Sequence, residues 1–241
     1  MGVVIVTGTG TGVGKTVTCA AIAACAKGTV AYVKLAQTGL DAAQPGDAAQ
    51  PGDAAQFARL ARSDNVHEFA RYPEALPPNL AAMLSGRPAL ALADAVRQVI
   101  DLDALHDTVL VDGTGGLSAK YDGHDDWTLV DLAAAVDADF LAVVGVHVDM
   151  VDHASLLTSA IEAEGFGRAA VAIGNWAADP GPAARFALFD VQRLARRSQL
   201  AGVLPAGLAE GVNFRRRARA ALSPDWGGTL DTRAFVSRQR P

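Results

Sequence analysis

The sequence predicts an α/β fold of three layers, a mainly parallel central sheet flanked by helices, and three observations carry that expectation. Short β-rich runs alternate with longer helical runs along the chain. Several β-rich runs are apolar throughout rather than alternating, as central strands covered on both faces are. The first of them empties into a glycine-threonine loop that opens a helix, a strand–loop–helix unit suited to holding an anion.

Taken in order, Val3–Thr7 is the first strand and Lys15–Lys27 the first helix. The further strands are expected over Val30–Ala36, Thr108–Val111, Phe140–Val146, Ala169–Ile173 and Leu200–Leu204. Helices are expected over Ala89–Leu105, Thr128–Val136, His153–Glu164 and Pro182–Arg196. After the second strand, Asp41–Gln56 reads DAAQPG-DAAQPG-DAAQ, a six-residue unit repeated and then begun again. A period of six with Pro-Gly in each unit is too short for a solenoid and reads as a mobile surface loop. Its last copy runs from Asp53 into a helical pattern, with Asp53 as N-cap.

The chain has 241 residues, half of them apolar and 20% charged, which fits one globular domain over residues 1–241 with a disordered tail from about 236. Lysine plus arginine number 21 against 26 acidic residues, a net charge of −5. That balance speaks against nucleic-acid binding through a broad basic surface. The one basic cluster, Arg215–Arg216–Arg217 with Arg219, reads as a solvated helix face. The longest apolar stretch, Leu129 to Val148, carries Asp131, Asp137 and Asp139 and is ill suited to a bilayer. The start lacks a basic leader, and Val6 fails the myristoylation signal. Cys19 and Cys25 lie off the same-face spacings of a helix and form no CxxC, so both read as small buried hydrophobes. A soluble, cytoplasmic protein is expected.

The chemistry concentrates in three places. Gly8–Thr9–Gly10–Thr11–Gly12–Val13–Gly14–Lys15–Thr16 follows the first strand. The strict pattern GxxxxGK[ST] asks for glycine where Thr9 stands, but the physical elements survive: backbone N–H groups, a helix dipole and the Lys15 ammonium for phosphates, with the Thr16 hydroxyl for Mg²⁺. Thr108–Val111 ends in Asp112–Gly113–Thr114–Gly115–Gly116, an apolar strand closing on a carboxylate, which places an oxygen ligand near that metal. Lys34 closes an otherwise apolar strand, where a lysine is costly to bury without an anionic partner. It reads either as a second cation for a phosphoryl group or as a snorkelling edge-strand lysine. These features predict the P-loop NTPase fold. The five histidines (67, 106, 124, 147 and 153) form no metal-ligand spacing, and Gly116–Leu117–Ser118–Ala119–Lys120 lacks the last glycine of a nucleophile elbow.

These segments, in this order, resemble the dethiobiotin synthetase family over nearly the whole chain. Gly8–Thr16 is similar to the family's glycine-threonine loop, Lys34–Gly39 to its KP-x-x-[ST]-G segment, and Asp53–Ala54–Ala55 to its metal-binding start. Asp112–Gly116 looks like its EGAGG, Gly174–Asn175–Trp176 like its adenine-side asparagine segment, and Leu204–Gly207 like its late nucleotide loop. The resemblance implies that Gly12, Val13, Gly14, Lys15, Thr16 and Val17 hold the triphosphate of ATP. It implies nucleotide contacts from Gly113, Thr114, Gly115, Asn175, Trp176, Pro205, Ala206 and Gly207, and Mg²⁺ ligands in Thr16, Asp53 and Asp112. Thr11, Lys15 and Lys34 would be catalytic; Thr38 and the turn Asp149–Met150–Val151–Asp152 would meet the substrate. In the family, diaminopelargonate takes up CO₂ as a carbamate that attacks the γ-phosphate of ATP. The resulting mixed anhydride closes on the second amine, and a homodimer shares the substrate site across its interface.

The departures lie mainly on the substrate side. Leu35 replaces proline after the strand-end lysine, Asp112 replaces glutamate, and Asn79 replaces histidine. Asp149 and Asp152 stand in a turn that elsewhere offers backbone N–H groups to the substrate carboxylate, where they would repel it or cap the helix themselves. Two other readings stay open: a diverged relative with the same ATP and Mg²⁺ machinery but another substrate or weak activity, and a partition-type switch ATPase. The switch reading is disfavoured by Gly10, which stands where those ATPases carry a signature lysine.

Overall fold

The computed structural model describes residues 2–40, 51–167, 169–194 and 200–239. The elements are β1 (Gly2–Gly8), α1 (Lys15–Cys25), β2 (Val30–Lys34), β3 (Gln37–Thr38), α2 (Asp53–Ala61), β4 (Val66–Glu68), β5 (Arg71–Tyr72), α3 (Pro78–Ser85), α4 (Leu92–Asp103) and β6 (Thr108–Asp112). There follow α5 (Leu129–Val136), β7 (Asp139–Gly145), α6 (Met150–Ala163), β8 (Ala170–Trp176), α7 (Pro182–Leu194), β9 (Leu200–Pro205), α8 (Phe214–Ala221) and α9 (Thr232–Arg238). Seven strands form a sheet in the order β4-β2-β6-β1-β7-β8-β9, and β3 pairs with β5 alone. The expected three-layer α/β architecture is the one found.

The chain divides into two compact units, each built from two stretches of sequence: Met1–Thr7 with Gly28–Asp139, and Gly8–Lys27 with Phe140–Pro241. In the first, β6 pairs in parallel with both β1 and β2, and β2 with β4. Val109, Leu110 and Val111 of β6 are fully buried, as are Ala31, Tyr32 and Val33 of β2. The continuous apolar runs are therefore central strands, as their lack of alternation implies. Helix α5 is fixed at its start by a capping box between Thr128 and Asp131, which satisfies backbone donors at both ends of that first turn. In the second unit, β7, β8 and β9 pair in parallel. Their core gathers Val144, Met150, Ile173, Trp176, Leu188 and Val203.

Element ends differ from the sequence reading in instructive ways. Helix α6 starts at Met150 rather than His153, because Met150, Ala154, Leu157 and Ile161 continue one buried helical stripe. Strand β2 stops at Lys34 instead of running to Ala36, and α1 stops at Cys25, where Ala26 turns to extended backbone. Asp53 is the first residue of α2, not its N-cap: Gly52 occupies the cap position. The Gln37 side-chain oxygen accepts the Asp53 N–H at 2.8 Å, so a cap is supplied from elsewhere and the aspartate carboxylate is released for other work. Residues 41–50 of the hexapeptide repeat lie outside the described residues. Helix α9 takes up the first part of the expected tail, runs to Arg238 and buries Val236, while residues 240 and 241 lie outside the described residues. Cys19 and Cys25 are both buried, and burial pushes the Cys25 thiol up against the opposing pull of Arg215 and Arg219.

Candidate active site

The phosphate loop belongs to the second unit. Its two left-handed positions are Gly12 (φ 73°) and Gly14 (φ 100°), the backbone geometry for which glycine carries no penalty. Thr9 needs no glycine. Its N–H donates to the Val143 carbonyl at 3.0 Å, and its hydroxyl accepts the Gly145 N–H at 3.1 Å. The departure from the strict motif thus ties the loop to the end of β7. Val13 fills the base of the loop, and three glycines make room for it: a Cβ on Gly8 or Gly145 would fall 2.8 Å from its side chain, and one on Gly174 would clash with its carbonyl oxygen.

Lys15 opens α1, and its Nζ donates back to the Gly10 carbonyl at 2.9 Å, which curls the loop. Gly14 caps α1 with no side-chain bond and no acidic residue enters the first turn. The positive end of the helix, with Lys15, Thr16 and Val17 in that turn, is thereby kept for an anion. Thr11 and Gly12 sit exposed at the loop crest.

Asn175 lies at an irregularity in the β8–β9 pairing, in left-handed backbone (φ 56°), and its amide donates to the Gly12 carbonyl at 2.9 Å. The structure therefore brings Asn175 to the loop. Trp176, expected on the nucleotide side, turns its ring into the core against Phe235. Its carbonyl accepts the Ala206 N–H at 2.8 Å, which joins the Asn175–Trp176 segment to the Pro205–Ala206–Gly207 turn. The Arg217 guanidinium of α8 donates to the Gly207 carbonyl at 3.1 Å. Of the basic cluster, Arg215, Arg216 and Arg219 are solvated as expected, while Arg217 holds this turn.

The first unit carries the charged centre. Lys34 is 3% exposed, with Nζ 2.6 Å from Asp53 Oδ2 and 3.6 Å from Asp112 Oδ2. Since β2 lies between β4 and β6, the edge-strand reading of this lysine falls. Burial works against its charge, but the Asp112 and Asp53 carboxylates outweigh it, and the ammonium is held protonated well above its ordinary range. Asp112 is fully buried at the end of β6, level with Lys34 in the β2–β6 register. Its Oδ2 also accepts the Tyr32 hydroxyl at 2.7 Å.

The loop after Asp112 is pinned by side chains. The Gly113 N–H donates to the Val6 carbonyl, and a Cβ there would press into Leu129. The Thr114 hydroxyl donates to the Ala36 carbonyl, and its N–H donates to the Tyr121 hydroxyl at 2.8 Å. Burial pushes that tyrosine up to about 12, so it stays a neutral phenol. Gly115 takes left-handed backbone. Thr38 lies in β3 beside Gln37, whose amide donates to the Thr38 carbonyl.

In the second unit Asp149 stands at the N-cap position of α6 without a side-chain cap bond, and Asp152 lies in the first turn. Both are exposed, Val151 is half-buried, and Met150 of the same turn is wholly in the core. Asp149 thus takes the cap position but not the capping role. The His147 and His153 rings stand 4.7 Å apart beside them. Tyr32, Gln37 and Arg217 were missed by sequence reasoning. Only Tyr32 left a signal, an aromatic hydroxyl two residues before Lys34 and therefore on the same strand face.

A glycine loop between β1 and a helix opening on Lys-Thr, in a parallel sheet that also carries an acid-terminated strand, defines a P-loop NTPase. A family model described as an AAA domain matches residues 3–206. The fold is shared with solved P-loop ATPases: the MinC:MinD cell division complex of Aquifex aeolicus (TM-score 0.52, 16% identity, 90% of this chain and 86% of that one) and a ParA family ATPase from Chlorobium tepidum (0.51, 12%, 99% and 98%). Proteins named ATP-dependent dethiobiotin synthetase BioD are much nearer in sequence. That of Saccharopolyspora erythraea is 43% identical over 95% of this chain and 98% of its own. Those of Frankia casuarinae (41%, 99% and 99%) and Streptomyces coelicolor (37%, 100% and 100%) align over the same extent. The chain belongs to the ATP-dependent dethiobiotin synthetase family.

Proposed function

We propose that the chain catalyses the ATP-dependent carboxylation and ring closure of 7,8-diaminononanoate (diaminopelargonate) with CO₂ to dethiobiotin, releasing ADP and phosphate, in biotin biosynthesis. The observation that carries this is the buried Lys34, charged between Asp53 and Asp112, in a chain that belongs to this family over its full length. A carbamate formed on one amine attacks the γ-phosphorus of ATP through oxygen, and ADP leaves. The second amine then attacks the carbonyl carbon of the mixed anhydride, phosphate leaves, and the ureido ring closes.

In this reading the N–H groups of Gly12 to Val17 and the Lys15 ammonium hold the triphosphate. Thr11, Lys15 and Lys34 bear on the transferring phosphoryl group, where charge spreads over its oxygens. Asn175, the backbone of Trp176, Pro205, Ala206 and Gly207 form the base side, Gly113 to Gly115 line the phosphates, and Thr38 and the Asp149–Asp152 turn meet the substrate. Asp53 and Asp112 are hard oxygen donors brought to one point, in the number magnesium uses beside phosphate oxygens and water, and they suit that ion. Thr16, Asp53 and Asp112 would hold Mg²⁺, which when bound supplies charge neutralisation at the β- and γ-phosphates. A homodimer in the cytoplasm completes the proposal. Among the described residues no helix is long and apolar enough to cross a membrane.

The exposed Asp149 and Asp152 favour one alternative, the same ATP machinery acting on another substrate. One assay separates the two. ADP release that needs both diaminopelargonate and bicarbonate, with dethiobiotin found by mass spectrometry, supports the proposal. ADP release indifferent to both, with no dethiobiotin, overturns it in favour of the alternative.

A further inference from the structure

We propose that Tyr32 is a positioning residue for magnesium: its hydroxyl sets the orientation in which the Asp112 carboxylate meets the ion. The inference rests on the reading of Asp112 as a magnesium ligand.

Strand β2 reads Val-Ala-Tyr-Val-Lys. Alternation along a strand puts Tyr32 and Lys34 on one face. The register pairs Lys34 with Asp112 and Tyr32 with Leu110 on β6. Lys34 therefore meets Asp112 directly across, while Tyr32 starts two residues back and spans the gap with its ring. Both reach the same atom: Oδ2 of Asp112 lies 2.7 Å from the tyrosine hydroxyl and 3.6 Å from Lys34 Nζ. One carboxylate oxygen is thus tied by a phenol on one side and an ammonium on the other, which fixes the plane of the group.

The ring is held as firmly as its hydroxyl. Tyr32 is fully buried and stacks on Phe57 with centroids 4.1 Å apart and planes 15° from parallel. Phe57 belongs to α2, whose first residue is Asp53. One short helix therefore carries the second carboxylate of the centre and the plate that orients the first. A buried hydroxyl costs free energy unless it is bonded, and a phenylalanine would pack there as well. The phenol is accounted for by what it does to Asp112. Aspartate places its carboxylate one methylene nearer the strand than the glutamate of the family's EGAGG segment. Tyr32 supplies the donor that sets its angle. Partners of ligating carboxylates act in this way, and their loss weakens metal binding by about ten- to a hundredfold.

The test is Tyr32→Phe in the full chain, which keeps the ring and its stacking and removes one oxygen. ADP binding is measured by calorimetry in excess EDTA and in excess Mg²⁺. The expected result is an unchanged affinity in EDTA and a gain from Mg²⁺ reduced about tenfold. An undiminished gain, or affinities that fall together in both buffers, overturns the inference and leaves Tyr32 a packing residue. Asp112→Asn measured alongside separates the two layers of the argument. A gain that survives Asp112→Asn removes the reading of Asp112 itself. A gain lost in Asp112→Asn but kept in Tyr32→Phe removes only the role of Tyr32.

Discussion

The carbonyl oxygen of Val13 lies so close to Gly174 that a Cβ there would clash with it, so the phosphate loop and the end of β8 fit together only through the missing carbon of Gly174. Val13 lies inside the phosphate loop and Gly174 directly precedes Asn175, and their contact sets how closely the loop lies on its own support. Gly174→Ala must move the loop or the strand, at a cost of about 1–3 kcal/mol for overpacking. The expected outcome is a roughly tenfold or greater loss of ADP affinity, the equivalent of about 1.4 kcal/mol, with a smaller fall in thermal stability. Calorimetry and thermal unfolding on the same sample check it.

Lys15→Ala is expected to keep the fold and lose the nucleotide. Its Nζ bonds to the Gly10 carbonyl of its own loop, and the core does not depend on it. A charge-assisted hydrogen bond to a phosphate is worth about 1.5–3 kcal/mol, so ATP affinity should fall roughly ten- to a hundredfold. An ATP affinity like that of the wild type in a folded variant would contradict the assignment.

Lys34→Met is expected to damage stability as well as catalysis. Asp112 is fully buried, so no solvent can take the place of the lost ammonium. Removing one partner of such a buried pair typically costs about 3–5 kcal/mol, readable as a lower urea midpoint. Turnover should be lost even under conditions where the variant remains folded.

Asp149→Gly combined with Asp152→Asn tests the start of α6. Both carboxylates are exposed there, and Asp149 makes no capping bond that the change would forfeit. A substrate carboxylate arriving at this helix end gains ~0.3–1 kcal/mol from the dipole, and an aspartate about 4 Å away opposes it by a similar or larger amount at an effective dielectric near 20. The KM for diaminopelargonate should fall roughly two- to fivefold, while ATP affinity stays the same. An unchanged KM would show that these side chains turn away from the substrate.

His67 on β4 should make stability fall on the acid side. Burial, and then the neighbouring His106, lower its pKa from the ordinary 6.5. The folded state takes up this proton less readily than the unfolded chain, so the contribution is present above 6.5 and is lost as pH falls through the folded value. His67→Gln should therefore flatten the drop in urea midpoint between about pH 7 and pH 5. Lys34 has the opposite sign: its raised pKa keeps its contribution whole below 10.5 and loses it only at more alkaline pH.

The elements legible in the sequence were those whose reason for existing is local. The phosphate loop reads from consecutive residues, and the central strands from uninterrupted apolar runs. Strand β4, Val66–His67–Glu68, is three residues at a sheet edge and has no pattern to read. Helix α8 was visible only as an arginine cluster, because its sequence is polar and its packing comes from α1. The resemblance singles out Asp53, and the structure pairs it with Lys34, but its cap is not legible locally, since the Gln37 that supplies it lies 16 residues away. Tyr32 reaches Asp112 across 80 residues. Such pairings are decided by strand register, which no single stretch of sequence contains.

The junction at Gly52–Asp53, where α2 begins with the carboxylate that grips Lys34, has a genetic consequence. The residues before it are copies of one hexapeptide, and each copy hands over from Pro-Gly to Asp-Ala-Ala-Gln. Tandem repeats in DNA gain and lose whole units by slippage during replication. Subtracting Asp41–Gly46 leaves Pro-Gly-Asp-Ala-Ala-Gln still standing in front of Phe57. Adding a unit does the same. A change of one whole unit therefore leaves the same Pro-Gly-Asp-Ala-Ala-Gln at the start of α2, and with it an aspartate in the position that pairs with Lys34.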